Sequence, residues 1–323
     1  MPMCLYMLRV LLLTLTLFAP LAQAAQAVLQ RPVNLQTSQG TLFGTLELPK
    51  TGAQMPVVLL IAGSGPTDRN GNNPGGGHND TLRRLAKQLA QRGIATLRYD
   101  KRGVAASRPA TPNERDLSVE QYVADAQGWL KMLRGDARFN KVFVAGHSEG
   151  ALIASLSADK FKVDGIVSIA GSSRPIDQVL REQLSYRLPP ALLGKSSTIL
   201  DSLIAGKPTL DVPQELEVLF RPTVQPYLIS LFRQDPAKAF SQADAPALII
   251  QGDHDIQVDV ADALRLKEAR PDAQLVVIKG MNHVLRIVPL DMKAQLASYD
   301  NPKLPLAREL IDALSQFIEH TDQ

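Results

Sequence analysis

Continuous apolar runs punctuate the chain and predict strands that are buried on both faces. The first run, MPVVLLIAG at residues 55–63, ends in a glycine, and later runs repeat this arrangement. The later runs occupy residues 93–100, 141–146, 163–171, 245–253 and 273–280. Before them, residues 33–49 alternate apolar and polar positions around Gly40 and Gly44, which predicts antiparallel edge strands.

Helical patterns separate these runs. Leucines recur at helical spacing in residues 80–93, a serine cap opens residues 118–135, and residues 305–320 are amphipathic. Strands that alternate with helices predict an α/β fold, with a mostly parallel sheet covered by helices on both faces. In such a sheet the binding sites lie at the carboxyl ends of the strands, so chemistry is expected there.

One segment interrupts this alternation. Residues 173–243 contain no convincing buried strand, and they are rich in leucine, proline and helical fragments. We interpret this segment as a helical cap inserted over the carboxyl edge of the sheet. The α/β core would then consist of residues 28–172 and 244–323.

The first residues have the layout of a secretory signal peptide. Arg9 precedes an apolar stretch at residues 10–18, Pro20 follows, and small residues then alternate. This layout predicts cleavage after residue 24, with sites up to residue 27 also fitting. A membrane anchor is the alternative, but the apolar stretch is shorter than the ~20 residues that span a bilayer. We therefore expect an exported protein, periplasmic or secreted, without a stable membrane anchor.

Composition narrows the classes of function. Hydrophobic residues make up 45% of the 323 residues and charged residues 21%, which is ordinary for a globular protein. The net charge of +3 comes without a basic run, which argues against a nucleic-acid partner. The one cysteine, Cys4, lies in the leader, so the mature chain would have no disulfide and no cysteine metal site.

A serine stands between two glycines where a predicted strand gives way to a predicted helix. The pentapeptide GHSEG at residues 146–150 matches the G-x-S-x-G nucleophile elbow, in which the serine occupies a strained turn. The glycines let strand and helix approach without side-chain clashes. A helix that begins at Glu149 also directs its first amides toward charge that develops at a bound carbonyl. Ser148 is therefore the candidate nucleophile.

A serine hydroxyl needs a base, and the base needs an orienting carboxylate. On this kind of fold the three residues follow the chain order serine, acid, histidine. Two acids compete after the run at 245–253: Asp255 lies further into the loop and is preferred, whereas Asp253 is expected to shape the turn. His283 follows the last run at the same edge of the sheet and is the candidate general base. His147 is expected to support the elbow by packing.

An oxyanion hole needs two backbone donors. The N–H of Glu149, directly after the nucleophile, is one candidate, and the loop after the first buried parallel strand should supply the other. In that loop, GSGP, the backbone of Ser64 is the first choice and that of Gly65 the second. The loop lacks the Gly-Lys-Ser/Thr ending of a phosphate-binding loop, so we reject a nucleotide site.

Five motifs together resemble the α/β-hydrolases, and within them the serine aminopeptidase-type or dienelactone-hydrolase-like esterases. They are IAGSGPTDRNGNN, LRYDKRGVAAS, VAGHSEGA, GDHDIQV and MNH, and they span about residues 55–320 in the family's order. The resemblance implies a Ser148–Asp255–His283 triad, serine-ester chemistry and no cofactor.

The chain departs from the family pattern at two places. Ala62 stands where many relatives carry the histidine of an HG-type oxyanion loop, which bears on the contact expected from Ser64. Residues 104–106 lack the second glycine that is usual after the DxRG motif. Asp100 and Arg102 of that motif are expected to stabilise a turn rather than to act in catalysis.

The leading hypothesis is an exported serine hydrolase that cleaves small-molecule carboxylic esters through an acyl-enzyme on Ser148, without cofactor or metal. A peptidase or amidase could use the same machinery on short peptides, with acidic cap residues binding the substrate amine. The candidates are Asp177, Glu182, Asp201, Asp211, Glu215 and Glu217. A thioesterase is disfavoured because an exported protein rarely meets coenzyme A. The third alternative is a non-catalytic binding protein that keeps only the fold.

Apolar residues of the cap could line an acyl pocket, or they could pack the cap onto the sheet. They are Leu188, Leu192, Leu193, Leu203, Leu219, Phe220 and Leu231.

Overall fold

The computed structural model describes residues 28–50 and 53–321. The predicted leader and its cleavage sites lie outside the described residues. Among the described residues, no helix combines the length and the apolar character needed to cross a membrane.

Eight strands form one sheet. They are β1 Val28–Thr37, β2 Gly40–Pro49, β3 Met55–Ile61, β4 Ala95–Tyr99, β5 Phe139–His147, β6 Gly165–Ile169, β7 Ala247–Gly252 and β8 Gln274–Ile278. Their order is β1-β2-β4-β3-β5-β6-β7-β8. The hairpin β1–β2 and the pair β2–β4 are antiparallel, and every later pair is parallel. The predicted α/β fold with a mostly parallel sheet is confirmed.

Helices fill the connections between the strands. They are α1 Thr81–Ala90, α2 Val119–Arg134, α3 Glu149–Lys160, α4 Ile176–Arg187, α5 Pro190–Ile204, α6 Glu217–Phe220, α7 Gln225–Phe232, α8 Pro236–Gln242, α9 Val260–Ala269, α10 Met292–Tyr299 and α11 Arg308–His320. Short 3₁₀ helices lie at Ala105–Ala110, Glu114–Asp116 and Gln214–Leu216. The predicted cap of α2 is present, since the Ser118 side chain accepts a hydrogen bond from the amide of Gln121.

The sheet is buried on both faces because its side chains alternate between two apolar clusters. On β3, Val57, Leu59 and Ile61 pack in a cluster with residues of α2, α3, α8 and α9. Val58 and Leu60 pack in a second cluster with residues of α1 and α11. An uninterrupted apolar run is therefore what this strand requires.

The last strand differs from the expectation of burial on both faces. β8 lies at one edge of the sheet, and Val277 in it is 44% exposed. An edge strand has a neighbour on one side only, so an apolar sequence does not by itself guarantee burial.

The segment between β6 and β7 forms helices α4 to α8 and one 3₁₀ helix, with no strand among its described residues. It has an apolar cluster of its own, made of Leu184, Ile199, Leu200, Leu203, Leu216, Phe220 and Ile229. Leu188 and Leu193 pack against this cluster, whereas Leu219 is 38% exposed. Four of the seven apolar residues that could have lined an acyl pocket, three leucines and Phe220, therefore pack the helices together.

Helix α8 belongs with the core layer rather than with this cluster. Ala239 and Phe240 are buried in the main cluster that also holds residues of α3 and α9. Tyr227 and Leu231 of α7 are buried in the same main cluster, whereas Ile229 of α7 packs in the cluster of the inserted segment, so α7 contacts both.

The turn after β4 is a polar network, as expected for the DxRG motif. The carboxylate of Asp100 accepts hydrogen bonds from the amides of Arg69 and Ala106, and Arg102 forms a buried ion pair with Asp125 on α2. Ala105 has a φ of 42°, a left-handed conformation that glycine adopts at lower cost. The missing second glycine therefore leaves a strained alanine in a structural turn.

Candidate active site

Ser148 lies in a strained turn between β5 and α3. Its φ of 56° and ψ of −123° lie in a region that residues other than glycine rarely adopt. The Ser148 amide donates to the carbonyl of Ile169 on β6 at 2.9 Å, and the Ser148 carbonyl accepts from Ala151 at 2.9 Å. These bonds hold the serine at the carboxyl edge of the sheet.

The flanking glycines are required by close backbone contacts. A Cβ atom on Gly146 would lie 1.9 Å from the carbonyl oxygen of Gly150. A Cβ atom on Gly150 would lie 2.4 Å from the carbonyl oxygen of Ile61, at the end of β3. Helix α3 can leave the strand at this angle only because both positions lack side chains.

The structure brings His283 to Asp255, the preferred of the two acids. Nδ1 of His283 lies 2.8 Å from Oδ2 of Asp255, and their side chains are 6% and 0% exposed. The other carboxylate oxygen of Asp255 accepts the amides of Gln257 and Val258 at 2.8 and 3.0 Å. Asp253 instead accepts the amide of Gly280 at 2.5 Å, as expected for a turn residue.

The surroundings of Asp255 favour its charged form. Burial alone would raise its pKa, but the charge of His283 and the hydrogen bonds from His283 and two backbone amides outweigh burial and lower the pKa. A carboxylate held in this way keeps a proton on Nδ1 of His283, which leaves Nε2 free to accept another.

The loop that carries His283 is fixed by its neighbour in the MNH motif. Nδ2 of Asn282 donates to Gln295 Oε1 at 3.2 Å and to Ser298 Oγ at 2.8 Å, both on α10. Its Oδ1 accepts the amide of Arg286 at 3.0 Å. The MNH motif is recognisable in the sequence, but the role of Asn282 depends on contacts with α10, which lies outside the motif.

His147 supports the same loop by a hydrogen bond as well as by packing. Its Nε2 lies 2.8 Å from the carbonyl oxygen of His283, and the two imidazole centroids are 4.8 Å apart. Burial, and after it the charge of His283, lowers the pKa of His147 to about 4. His147 is therefore neutral at pH 7 and donates from Nε2.

Two cavities meet at Ser148. The first, here called the polar cavity, has a volume of about 200 Å³ and includes Ser148, His283, Asn73 and Thr81 in its lining. The second, here called the cap cavity, has a volume of about 250 Å³. Its lining includes Ser148, Glu149 and the apolar side chains Leu152, Ile176, Val179, Leu180 and Leu231. Both linings mix polar and apolar groups, since Leu82 and Val284 also line the polar cavity, and Arg174 and Asp262 also line the cap cavity.

Ser64, the first choice for the second oxyanion donor, lines both cavities, whereas Gly65 lines neither. The preceding Gly63 lies against the nucleophile, since a Cβ on it would be 3.3 Å from Cβ of Ser148. Glu149 begins α3, so its amide is at the free amino end of that helix. The two candidate donor residues, Ser64 and Glu149, and Ser148 therefore line the same cap cavity.

No group of three or more metal-binding side chains occurs among the residues that the structure describes.

A model of the serine aminopeptidase S33 family matches residues 75–287, which is more than half of the chain. The chain belongs to this family of α/β-hydrolases. The matched region includes Ser148, Asp255 and His283.

A curated relative, the esterase EstD of Thermotoga maritima, is 32% identical over 248 residues, which cover 76% of this chain and 58% of that protein. This S33-family chain therefore spans less than two thirds of the length of that relative.

Solved structures share the fold. Est1E from Butyrivibrio proteoclasticus, with bound ferulic acid, has a TM-score of 0.61 at 16% identity and covers 89% of this chain and 99% of its own. An acylaminoacyl peptidase of Pyrococcus horikoshii has a TM-score of 0.56 at 14% identity and covers 93% of this chain and 42% of its own. At these identities the likeness shows the α/β-hydrolase fold alone.

The lowered pKa of His147 predicts a pH-dependent stability. An ordinary histidine pKa is 6.5, so between pH 6.5 and about 4 the unfolded chain binds a proton that the folded site rejects. This contribution to stability is complete above pH 6.5 and is lost as the pH falls. The variant His147→Gln keeps an amide donor but does not titrate. Between pH 7 and pH 4, we expect the free energy of unfolding of the wild type to fall by roughly 1 to 3 kcal/mol more than that of the variant.

Urea unfolding followed by circular dichroism at both pH values measures this difference. Equal losses of stability in the two proteins would contradict the prediction.

Proposed function

We propose that the protein is a serine hydrolase that cleaves carboxylic esters through an acyl-enzyme on Ser148. The observation that carries this proposal is the hydrogen bond between His283 and Asp255 at a cavity that also contains Ser148. A strained serine, a paired histidine and two candidate amide donors at one junction are the parts that acyl transfer requires.

The reaction would proceed in two halves. Nε2 of His283 takes the proton from Ser148 as its Oγ attacks the ester carbonyl, and Asp255 steadies the imidazolium. The amides of Glu149 and Ser64 donate to the carbonyl oxygen as it becomes negative. His283 then protonates the leaving alcohol as its bond to the acyl carbon breaks. A water molecule, deprotonated by His283, attacks the acyl carbon. As the bond from this carbon to Oγ breaks, His283 returns the proton to Oγ, which releases the acid and free Ser148.

The lining of the two cavities supports an ester substrate rather than a peptide. None of the six acidic cap residues named in the sequence lines the polar cavity or the cap cavity. Three of them, Glu182, Asp201 and Asp211, lie in ion pairs with Arg174, Arg181 and Lys195. A peptidase that relied on these six acids to hold a substrate amine would lack them at the nucleophile. Two other carboxylates, Glu149 and Asp262, do line the cap cavity, and Asp262 already accepts hydrogen bonds from Ser172 and Ser173. The name of the relative EstD, an esterase, agrees with this choice.

The side chains of α4 also indicate where an apolar part of the substrate would bind. The cap cavity suits an apolar group, because Ile176, Val179 and Leu180 of α4 line it. A non-catalytic binding protein is disfavoured, since a strained Ser148 and a buried His283–Asp255 pair carry a cost that binding alone does not require.

A fluorophosphonate probe tests the nucleophile. The wild type should be labelled with one probe per chain, and Ser148→Ala should abolish labelling because no other activated hydroxyl is proposed. Asp255→Asn should lower kcat by about 10³- to 10⁴-fold, because the histidine loses its orientation. The matched variant Asp253→Asn should lose much less activity, since this carboxylate holds only the turn. Labelling that persists in Ser148→Ala would refute the assignment.

Substrate series separate esters from amides. We expect kcat/KM for p-nitrophenyl butyrate to exceed that for aminoacyl p-nitroanilides by about 100-fold or more, because an amine needs stronger protonation to leave. The comparison uses the purified protein at one pH, with Ser148→Ala as the background control. Equal or better turnover of the anilides would favour the peptidase alternative.

We further propose that the protein is exported. The support is the order of Arg9, the apolar stretch at residues 10–18 and the small residues after Pro20. Intact mass measurement of the protein from an expressing bacterium should give a chain that begins at residue 25, or at the latest at residue 28. Deletion of residues 1–24 should leave the protein in the cytoplasm. A full-length chain in the exported fraction would contradict cleavage.

A further inference from the structure

Lys101 is a buried lysine that contacts the loop passing Ser148, and the reaction described above gives it no role. The residue is 2% exposed and follows Asp100 in the turn after β4. Its Nζ donates a hydrogen bond to the carbonyl oxygen of Gly63 and lies 5.4 Å from the ring centroid of Tyr122. Burying an amino group in this way costs free energy, which indicates that the contact has a function.

The topology of the sheet produces this contact. β3 and β4 are parallel neighbours, with Leu60 paired to Arg98, so the loops that follow them leave the same edge side by side. Gly63 is on one of these loops and Lys101 on the other. Lys101 is therefore placed to hold the first residues of the loop that passes Ser148.

The bonded carbonyl belongs to the peptide unit of the proposed oxyanion donor. The carbonyl of Gly63 and the amide of Ser64 form one planar group, and the peptide bonds of the described residues are all trans. In a trans peptide the carbonyl and the N–H point in opposite directions. A donor fixed on the oxygen of Gly63 therefore fixes the direction of the Ser64 N–H, away from Lys101.

The same contact strengthens the amide as a donor. A hydrogen bond to a carbonyl oxygen draws electron density from the peptide nitrogen and polarises its N–H. A polarised amide with a fixed direction stabilises developing negative charge better than a mobile one. A second hydrogen bond anchors the far side of the residue, because Thr67 Oγ1 donates to the Ser64 carbonyl at 2.8 Å.

We propose that Lys101 is a positioning residue of the oxyanion hole: through Gly63 it orients and polarises the peptide whose Ser64 N–H receives the oxyanion. This inference rests on the proposed ester hydrolysis. Lys101 itself touches neither the substrate nor the reacting atoms in this scheme.

A competing explanation comes from Glu149. Burial lowers the pKa of Lys101, and the charge of Glu149 raises it in part, so the two groups interact. Glu149 also lines the cap cavity. If Lys101 served only to balance this carboxylate, removing both charges together would restore activity, whereas a role at the Gly63 peptide predicts no recovery.

The experiment compares kinetics and transition-state affinity in four variants. Lys101→Met removes the donor, Lys101→Arg keeps a cationic donor, and the double variant Lys101→Met with Glu149→Gln removes both charges. Arg270→Met is the matched control, because Arg270 is 7% exposed and donates to the carbonyls of Phe240 and Ala243 near the opposite end of the strands. Each protein is assayed with p-nitrophenyl butyrate, and butylboronic acid serves as the tetrahedral analogue that binds Ser148.

We expect Lys101→Met to lower kcat by about 10- to 100-fold, with KM changed less than about threefold, because the lost interaction acts only in the transition state. The affinity for butylboronic acid should fall by the same factor as kcat. Lys101→Arg should recover part of the activity, and the double variant should stay as impaired as Lys101→Met. Arg270→Met should lower the melting temperature without lowering kcat.

Three results would overturn the proposal. The first is a folded Lys101→Met whose kcat lies within about twofold of that of the wild type. The second is an affinity of Lys101→Met for butylboronic acid that does not fall with kcat. The third is recovery of activity in the double variant. If Lys101→Met does not fold, Lys101→Leu takes its place, because leucine likewise carries no hydrogen-bond donor, and the same comparisons decide. An inactive wild type, or full activity in Ser148→Ala, would refute the ester hydrolase itself. Failure of the two proposals is therefore distinguishable.

Discussion

The close crossing of α3 over the end of β3 is the constraint on which the site depends. The backbone at Gly150 approaches the carbonyl of Ile61 so closely that no side chain fits between them. This contact places the first turn of α3 against the carbonyls of Ile61 and Ala62, where the loop after β3 begins, and Ser148 occupies the strained turn directly before it. Nucleophile, helix amides and the Ser64 loop are therefore brought together by one packing requirement and not by three separate ones.

Much of this arrangement can be predicted from sequence because its signals are local. The GHSEG motif lies between an apolar run and a helical pattern, and the order of serine, acid and histidine limits the partners of Ser148. The choice of Asp255 over Asp253 was also accessible, since the two differ in their distance from the strand end. The family match and the fold confirm the class of protein.

Other features depend on distances that no local pattern encodes. The hydrogen bond from His147 to His283 joins residues 136 positions apart, and the bond from Lys101 to Gly63 joins residues 38 apart. The exposure of β8 follows from its place at the edge, and the membership of α8 in the core follows from its contacts with α3 and α9. Sequence periodicity identifies these elements but does not say which neighbours they will have.

The glycine-rich loop between β3 and α1 is tied to the far end of the chain. Gly77 lies so close to the Tyr299 carbonyl that a Cβ there would be 2.3 Å away. The amide of His78 donates to Asp300, and Asn79 donates to the Tyr299 carbonyl. Tyr299 also lines the polar cavity. One wall of the cavity at Ser148 is thus formed by contacts between two segments that are distant in sequence. A substitution directly after α10 can therefore change which substrates fit, while Ser148 and His283 stay in place.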